Sequence, residues 1–170
     1  IGLVGSEMCI ETGLGANLGR PQATLTAAAK ALEQSEGIAH LRLSSFYSTS
    51  PVDSSGPDYV NAAAAVDTNC SPEALLKLLQ RIEYAHGRVR PAGVRNAPRT
   101  LDLDLLAYEG EVRSTDGLTL PHPRMYERLF VLVPLAEIEP NWRSPAGLPI
   151  AELIEQVIRK DSTQHIRKIS

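Results

Sequence analysis

The sequence predicts an α+β fold, a ferredoxin-like βαββαβ sandwich with an antiparallel sheet and C-terminal helical additions. Strand-like and helix-like segments follow one another as β-α-β-β-α-β over the first two thirds of the chain. A length of 170 residues suits one domain with a single substantial core. Hydrophobic residues at 43% and charged residues at 22% match a globular composition, and no apolar run approaches the roughly 20 residues that cross a bilayer.

Met8 to Leu14 is short, apolar and closed by glycines, which predicts a first strand ending at Gly13 or Gly15. Residues 1–7 read as an N-terminal extension or linker ahead of a domain over 8–170. Pro21 opens a helix in which Leu25, Ala28, Ala29 and Leu32 recur at helical spacing, with Gly37 as its terminator. Ile38 to Tyr47 alternates in part and predicts a second strand. Ser, Pro and Gly over 50–58 predict a loop, and Tyr59 to Thr68 a third strand. Ser71-Pro72-Glu73 supplies an N-cap followed by proline in the first turn, and Leu75, Leu76, Leu79 and Ile82 form the apolar stripe of a second helix. Pro91, Gly93 and Pro98 make 88–99 a loop, and Leu101 to Tyr108 is the next strand. The tail holds a Pro-rich turn at Pro121 and Pro123, an apolar segment over 129–138 and an amphipathic helix near 150–158.

The net charge of −3 argues against broad nucleic-acid binding, which leaves a basic excess over a whole face. Locally the balance reverses. Arg88, Arg90, Arg95 and Arg99 stand in one loop without an acidic residue, which favours a confined anionic ligand over a long polyanion. Cys9 and Cys70 lack metal or redox spacing and read as reduced packing residues. The N-terminus shows no basic region followed by a long apolar stretch, so no secretory signal is read there.

The chemistry concentrates in Pro98-Arg99-Thr100-Leu101-Asp102-Leu103-Asp104-Leu105-Leu106. Successive side chains of a strand point to opposite faces, so Asp102 and Asp104 share one face while Leu101, Leu103 and Leu105 share the core face. Their Cα atoms lie about 7 Å apart, two strand rises, and the carboxylates can converge on metal ions. Oxygen-only ligands suit Mg²⁺, and two such ions could neutralise a triphosphate and orient an in-line displacement. Arginines brought to that end of the strand could clamp phosphates. No Walker motif is present, and the spacing of Gly13-Leu14-Gly15-Ala16-Asn17-Leu18-Gly19 departs from the dinucleotide fingerprint, which leaves a tight turn from strand to helix. His122, between two prolines, could donate to a phosphate, or could be structural.

The chain resembles one known family along most of its length, on Gly15 to Gly19, Ser45 to Pro51, Pro57 to Ala62, Arg81 to Glu83 with Gly87-Arg88, Pro98 to Leu106, and Leu120 to Pro123. These segments are similar, in order and spacing, to 6-hydroxymethyl-7,8-dihydropterin pyrophosphokinase. The resemblance implies a ferredoxin-like domain over 8–170 that transfers diphosphate from ATP to the hydroxymethyl group of the reduced pterin and releases AMP. It implies that Asp102 and Asp104 hold two Mg²⁺ ions and act in catalysis with Arg88 and Arg99. It also implies that Gln80, Glu83, Arg88, Arg99, Leu105, Thr119, His122 and Arg128 form the nucleotide side. Tyr59 and Phe130 would sandwich the pterin ring, with Asn61 and the backbone around Thr49, Ser50 and Val52 reading its edge. Pro91, Asn96 and Pro123 depart from the family pattern.

The expected partners are ATP and the pterin, without nucleic acid or membrane, for a cytoplasmic monomer. The alternatives are another two-metal nucleotide-using enzyme on the same fold and a nucleic-acid binding module, which would need exposed sheet aromatics where the chain has 5% aromatic residues.

Overall fold

A computed structural model describes residues 7–50, 58–86 and 101–170. Eight strands and four α-helices follow in the order β1 (Met8–Ala16), α1 (Pro21–Glu33), β2 (Ile38–Leu43), β3 (Tyr47–Thr49), β4 (Tyr59–Thr68), α2 (Pro72–Ala85), β5 (Asp102–Tyr108), β6 (Arg113–Thr115), β7 (Leu118–Leu120), α3 (Leu129–Ile138), α4 (Ile150–Lys160) and β8 (Ile166–Lys168). The main sheet runs β5-β1-β4-β3-β8, with β2 beside β3 on the same edge of β4, and every pairing is antiparallel. That is the predicted α+β sandwich with an antiparallel sheet, in which β4 is central and β1 lies beside it.

Alternation sorts the sheet into two faces. Leu14, Ala16, Val60, Ala62, Ala64, Val66, Leu103 and Leu105 point to one face and are buried against Leu25, Ala28, Leu32, Leu75 and Leu79 of α1 and α2. Each fully buried leucine contributes roughly 1.5–3 kcal/mol of transfer free energy, which seats the two helices. Ser71 caps α2 as its sequence predicts, with its hydroxyl accepting from the Ala74 N–H at 3.1 Å. The opposite face buries Ala63 and Leu106 under α3 and α4, through Leu129, Leu132, Leu135, Leu153 and Val157. The C-terminal additions therefore form a third layer over part of that face.

Two expectations change, and the segments left open take their state. β1 continues through Gly13 and Gly15 to Ala16, and the turn into α1 sits at Gly19, whose φ of 65° is the left-handed conformation glycine tolerates. The segment 38–47 is two strands, because Ser44 interrupts the ladder to β4. Its N–H donates to the Ala63 carbonyl at 2.8 Å and its hydroxyl accepts from the Ala63 N–H at 2.9 Å. The apolar segment 129–138 is a helix, and the hairpin β6–β7 and the edge strand β8 carried no clear sequence pattern.

Candidate functional site

Two cross-strand rows carry the central chemistry. Asp102 pairs with Gly15, Gly15 with Asn61 and Asn61 with Tyr47; in the next row Asp104 pairs with Gly13 and Gly13 with Ala63. Partners across an antiparallel pair have Cα atoms about 4.5–5.5 Å apart, so Asp102 and Asn61 stand about 10 Å apart across a residue without a side chain. Leu103 and Leu105 are buried in the core, which turns the half-buried Asp102 and Asp104 to the other face, as the alternation predicts.

The strand carrying the carboxylates is anchored on its outer edge. The Leu103 N–H donates to Glu83 Oε2 at 2.8 Å, and Glu83 is only 4% exposed. A buried carboxylate spent on a backbone donor is a strand clamp, which is where the structure places this predicted nucleotide neighbour. On the inner edge β1 and β5 slip by one residue: Glu11 pairs with Ala107 and Thr12 with Leu105, leaving Leu106 as the extra residue of a bulge. The Leu106 carbonyl accepts from the His122 N–H at 2.7 Å, so the bulge fixes His122 beside the aspartate strand.

His122 caps the short 3-10 helix Pro123–Glu127, its Nδ1 accepting from the Arg124 N–H at 3.2 Å. The neutral ring therefore carries its proton on Nε2 and keeps one donor for a ligand. Burial lowers the His122 pKa below its ordinary value, Arg128 and Arg124 lower it further, and Asp102 opposes them. Burial and Arg124 likewise lower the pKa of Arg128, while Asp104 and Asp102 raise it. Arg128 also lies over the Phe130 ring, with 5.3 Å from Cζ to the centroid. Gln164 holds this start of α3, accepting from the Leu129 N–H at 2.9 Å and donating to the Glu127 carbonyl at 2.7 Å.

Asn61 donates from Nδ2 to Thr49 Oγ1 at 2.8 Å, and both residues are buried. Tyr59 pairs with Thr49 and shares the face of Asn61 by alternation, while Ser50 is exposed just past β3. Asp102, Asp104, Asn61, Thr49, Tyr59, His122, Arg128 and Phe130 are thus carried on β3, β4, β5 and the approach to α3. Thr119 is exposed on the neighbouring hairpin, opposite Ser114. The Leu105 side chain is 4% exposed in the core, which leaves its main chain to meet a nucleotide. Gln80 lines an open hollow of about 420 Å³ with Lys77, Arg81, Tyr84 and Ala85. All five come from α2, so among the described residues this hollow has no opposing wall and is no enclosed site. Arg88, Arg99 and Val52 lie outside the described residues.

Three contributors escaped the sequence. Gly15 supplies the gap between Asn61 and Asp102. Arg124 faces His122 and Arg128, and only its position four residues before Arg128 hinted at it. Glu137 of α3 accepts from the Ser45 N–H at 2.8 Å and from the Tyr47 hydroxyl at 2.5 Å, tying the helix to the broken edge.

The donor set of Asp102 and Asp104 is carboxylate oxygen alone, which fits a hard divalent cation. Among the described residues, Cys9, Glu11 and Glu139 also group closely enough to hold a metal. There the Arg42 guanidinium already supplies the cation, at 2.9 Å from Glu139 Oε1 and 3.4 Å from Cys9 Sγ.

The family described as 7,8-dihydro-6-hydroxymethylpterin-pyrophosphokinase matches residues 12–140. A 2-amino-4-hydroxy-6-hydroxymethyldihydropteridine pyrophosphokinase of Haemophilus influenzae is 45% identical over 144 residues, covering 84% of this chain and 89% of that protein. The protein of the same name from Methylorubrum extorquens is 45% identical over 130 residues, covering 76% and 81%. A solved Plasmodium falciparum HPPK-DHPS with pteroate superposes with a TM-score of 0.70 at 12% identity over 94% of this chain, which spans 44% of that longer chain.

Proposed function

This chain belongs to the 7,8-dihydro-6-hydroxymethylpterin-pyrophosphokinase family, and on that premise we propose that it transfers diphosphate from ATP to the hydroxymethyl group of 6-hydroxymethyl-7,8-dihydropterin, with release of AMP, in folate biosynthesis. The observation that carries the reading is the row Asp102–Gly15–Asn61, which sets a cation-binding carboxylate and a buried amide on one sheet face about 10 Å apart. A bound pterin would lie with its ring at Asn61 and its hydroxymethyl arm towards the aspartates. The domain is residues 8–170.

The pterin hydroxyl oxygen attacks the β-phosphorus of ATP and releases its proton to solvent, the bond from that phosphorus to the α,β-bridging oxygen breaks, and AMP leaves on the opposite side. Two Mg²⁺ ions on Asp102 and Asp104 would neutralise the phosphate charge. The residues themselves do the positioning, which is most of the catalysis in a phosphoryl transfer of this kind. His122 presents its Nε2–H to a phosphate oxygen, Arg128 adds a fixed positive charge beside the aspartates, and Arg88 and Arg99 complete the clamp. Gln80, Thr119, Glu83 and the Leu105 main chain stand on the nucleotide side. Tyr59 and Phe130 cover the pterin faces, with Asn61 and the backbone at Thr49, Ser50 and Val52 along its polar edge.

We propose further that the protein works as a monomer in the cytoplasm. No helix of the described residues is long and apolar enough to cross a membrane. Incubation with ATP, Mg²⁺ and 6-hydroxymethyl-7,8-dihydropterin should produce AMP and the pterin diphosphate in equal amounts. Asp104→Ala should lower turnover by about 10²-fold or more while the unfolding midpoint stays near the wild type. Pterin-independent ATP hydrolysis, or near-normal turnover in that variant, would overturn the reading.

A further inference from the structure

Building on the assignment of the pterin edge to Asn61, we propose that Gly15 and Thr49 are specificity-determining positioning residues, which together pin the Asn61 amide across β1 towards Asp102. The amide is bonded at one end and given room at the other. Nδ2 donates to Thr49 Oγ1 at 2.8 Å, and Oδ1 lies 2.8 Å from the point a Cβ on Gly15 would occupy. Real Cβ atoms essentially never approach an atom that closely, so a side chain at 15 must shift the Asn61 amide oxygen. Asn61 is 5% exposed and Thr49 6%, so the displaced amide has no solvent-side position that keeps its bond.

The requirement at Gly15 is space rather than backbone conformation, since its φ is not among the positive ones. Gly13, two residues earlier on the same face, separates the two causes. A Cβ there would meet Leu106 side-chain atoms at 3.5–3.7 Å, which is ordinary contact. Loss of a glycine from this strand therefore leaves its neighbours in place at 13 and displaces one at 15, and that neighbour is the Asn61 amide. A planar heterocycle with adjacent donors and acceptors on its edge can be told from its isosteres only by a reader that does not rotate. Thr49 thus acts through Asn61, in addition to its backbone.

The test compares Gly15→Ala and Thr49→Val with the control Gly13→Ala, measuring kcat and KM for each substrate, pterin dissociation constants with a non-hydrolysable ATP analogue, and thermal unfolding. Gly15→Ala and Thr49→Val should each raise the pterin KM and dissociation constant about 10- to 100-fold. The ATP KM should stay within about twofold, as uniform binding of the other substrate is untouched. Gly13→Ala should keep wild-type pterin affinity. The double variant should be little worse than either single one, because both act on one amide. Pterin affinity unchanged in Gly15→Ala or in Thr49→Val, or a loss shared equally by ATP and pterin, overturns the inference. Thr49→Val, close in shape to the native residue, carries the test if Gly15→Ala does not fold. A wild-type protein that forms no AMP would instead sink the enzymatic assignment, so the two failures are distinguishable.

Discussion

Glu11 is a carboxyl group placed where carboxylates are costly. It is 6% exposed on β1, where the weak Cys9 thiol donates to it at 3.7 Å. Burial, then the nearby Glu139, push its pKa from 4.5 up to about 8, with Cys9 and Arg42 opposing. The consequence for stability has a definite sign. Below pH 4.5 both folded and unfolded chains hold the proton; between 4.5 and about 8 the unfolded chain ionises while the folded one does not, so rising pH removes stability. The effect should be on the order of a few kcal/mol between pH 5 and 8.5. Glu11→Gln should flatten that part of the urea-midpoint profile, and parallel profiles for variant and wild type would remove Glu11 as the cause. At this scale the sequence was legible where chemistry and alternation agreed. Asp102 and Asp104 break the apolar pattern of their strand and are found on one face. Gly15 was not legible, because a glycine that makes room for a side chain on the next strand looks the same in one dimension as a glycine that makes a turn. Leu105 was legible only in part: its place in a motif said nothing of whether its side chain or its main chain faces a ligand.

The strands and helices that follow from period were read close to their bounds; those that depend on a distant partner were not. Helix α3 is apolar on all sides and carries Pro134 inside it, so its segment shows no helical stripe and its state is set by burial between the sheet and α4. Strand β8 is three residues long and exists because β3 offers it an edge. The break between β2 and β3 is of the same kind. Ser44 serves Ala63 with both its main chain and its hydroxyl, and nothing in a run of alternating residues announces that exchange. Ser44→Ala should leave the Ala63 N–H buried without that acceptor, at a cost of about 1–3 kcal/mol. Urea unfolding should show a lower midpoint with an unchanged slope, since the surface exposed on unfolding is the same. A midpoint equal to the wild type would mean that water or a shifted carbonyl takes over the bond.

On the scale of the whole molecule, the two sheet faces have different duties. One is sealed by α1 and α2 through an apolar core, while the other is covered by α3 and α4 around Ala63 and Leu106 and presents Asp102, Asp104 and Asn61 beside them. A chain of net charge −3 that keeps two carboxylates two residues apart on one strand face sets like charges close together, which the nearby Arg128 charge relieves in part. Ligand binding should therefore return stability to the folded state, and the return should depend on the metal. At a ligand concentration about 100 times its dissociation constant the gain is about 2.7 kcal/mol. For a domain of this size each kcal/mol moves the melting temperature by about 2–4 °C, so ATP with Mg²⁺ should raise Tm by about 5–11 °C. ATP with a chelator should give only a small part of that rise, and Asp102→Asn with Asp104→Asn should abolish the metal-dependent part while the apo protein still melts cooperatively. An equal rise in wild type and double variant would place the nucleotide on the α2 hollow or elsewhere, and would detach the aspartate row from the phosphates it is assigned to hold.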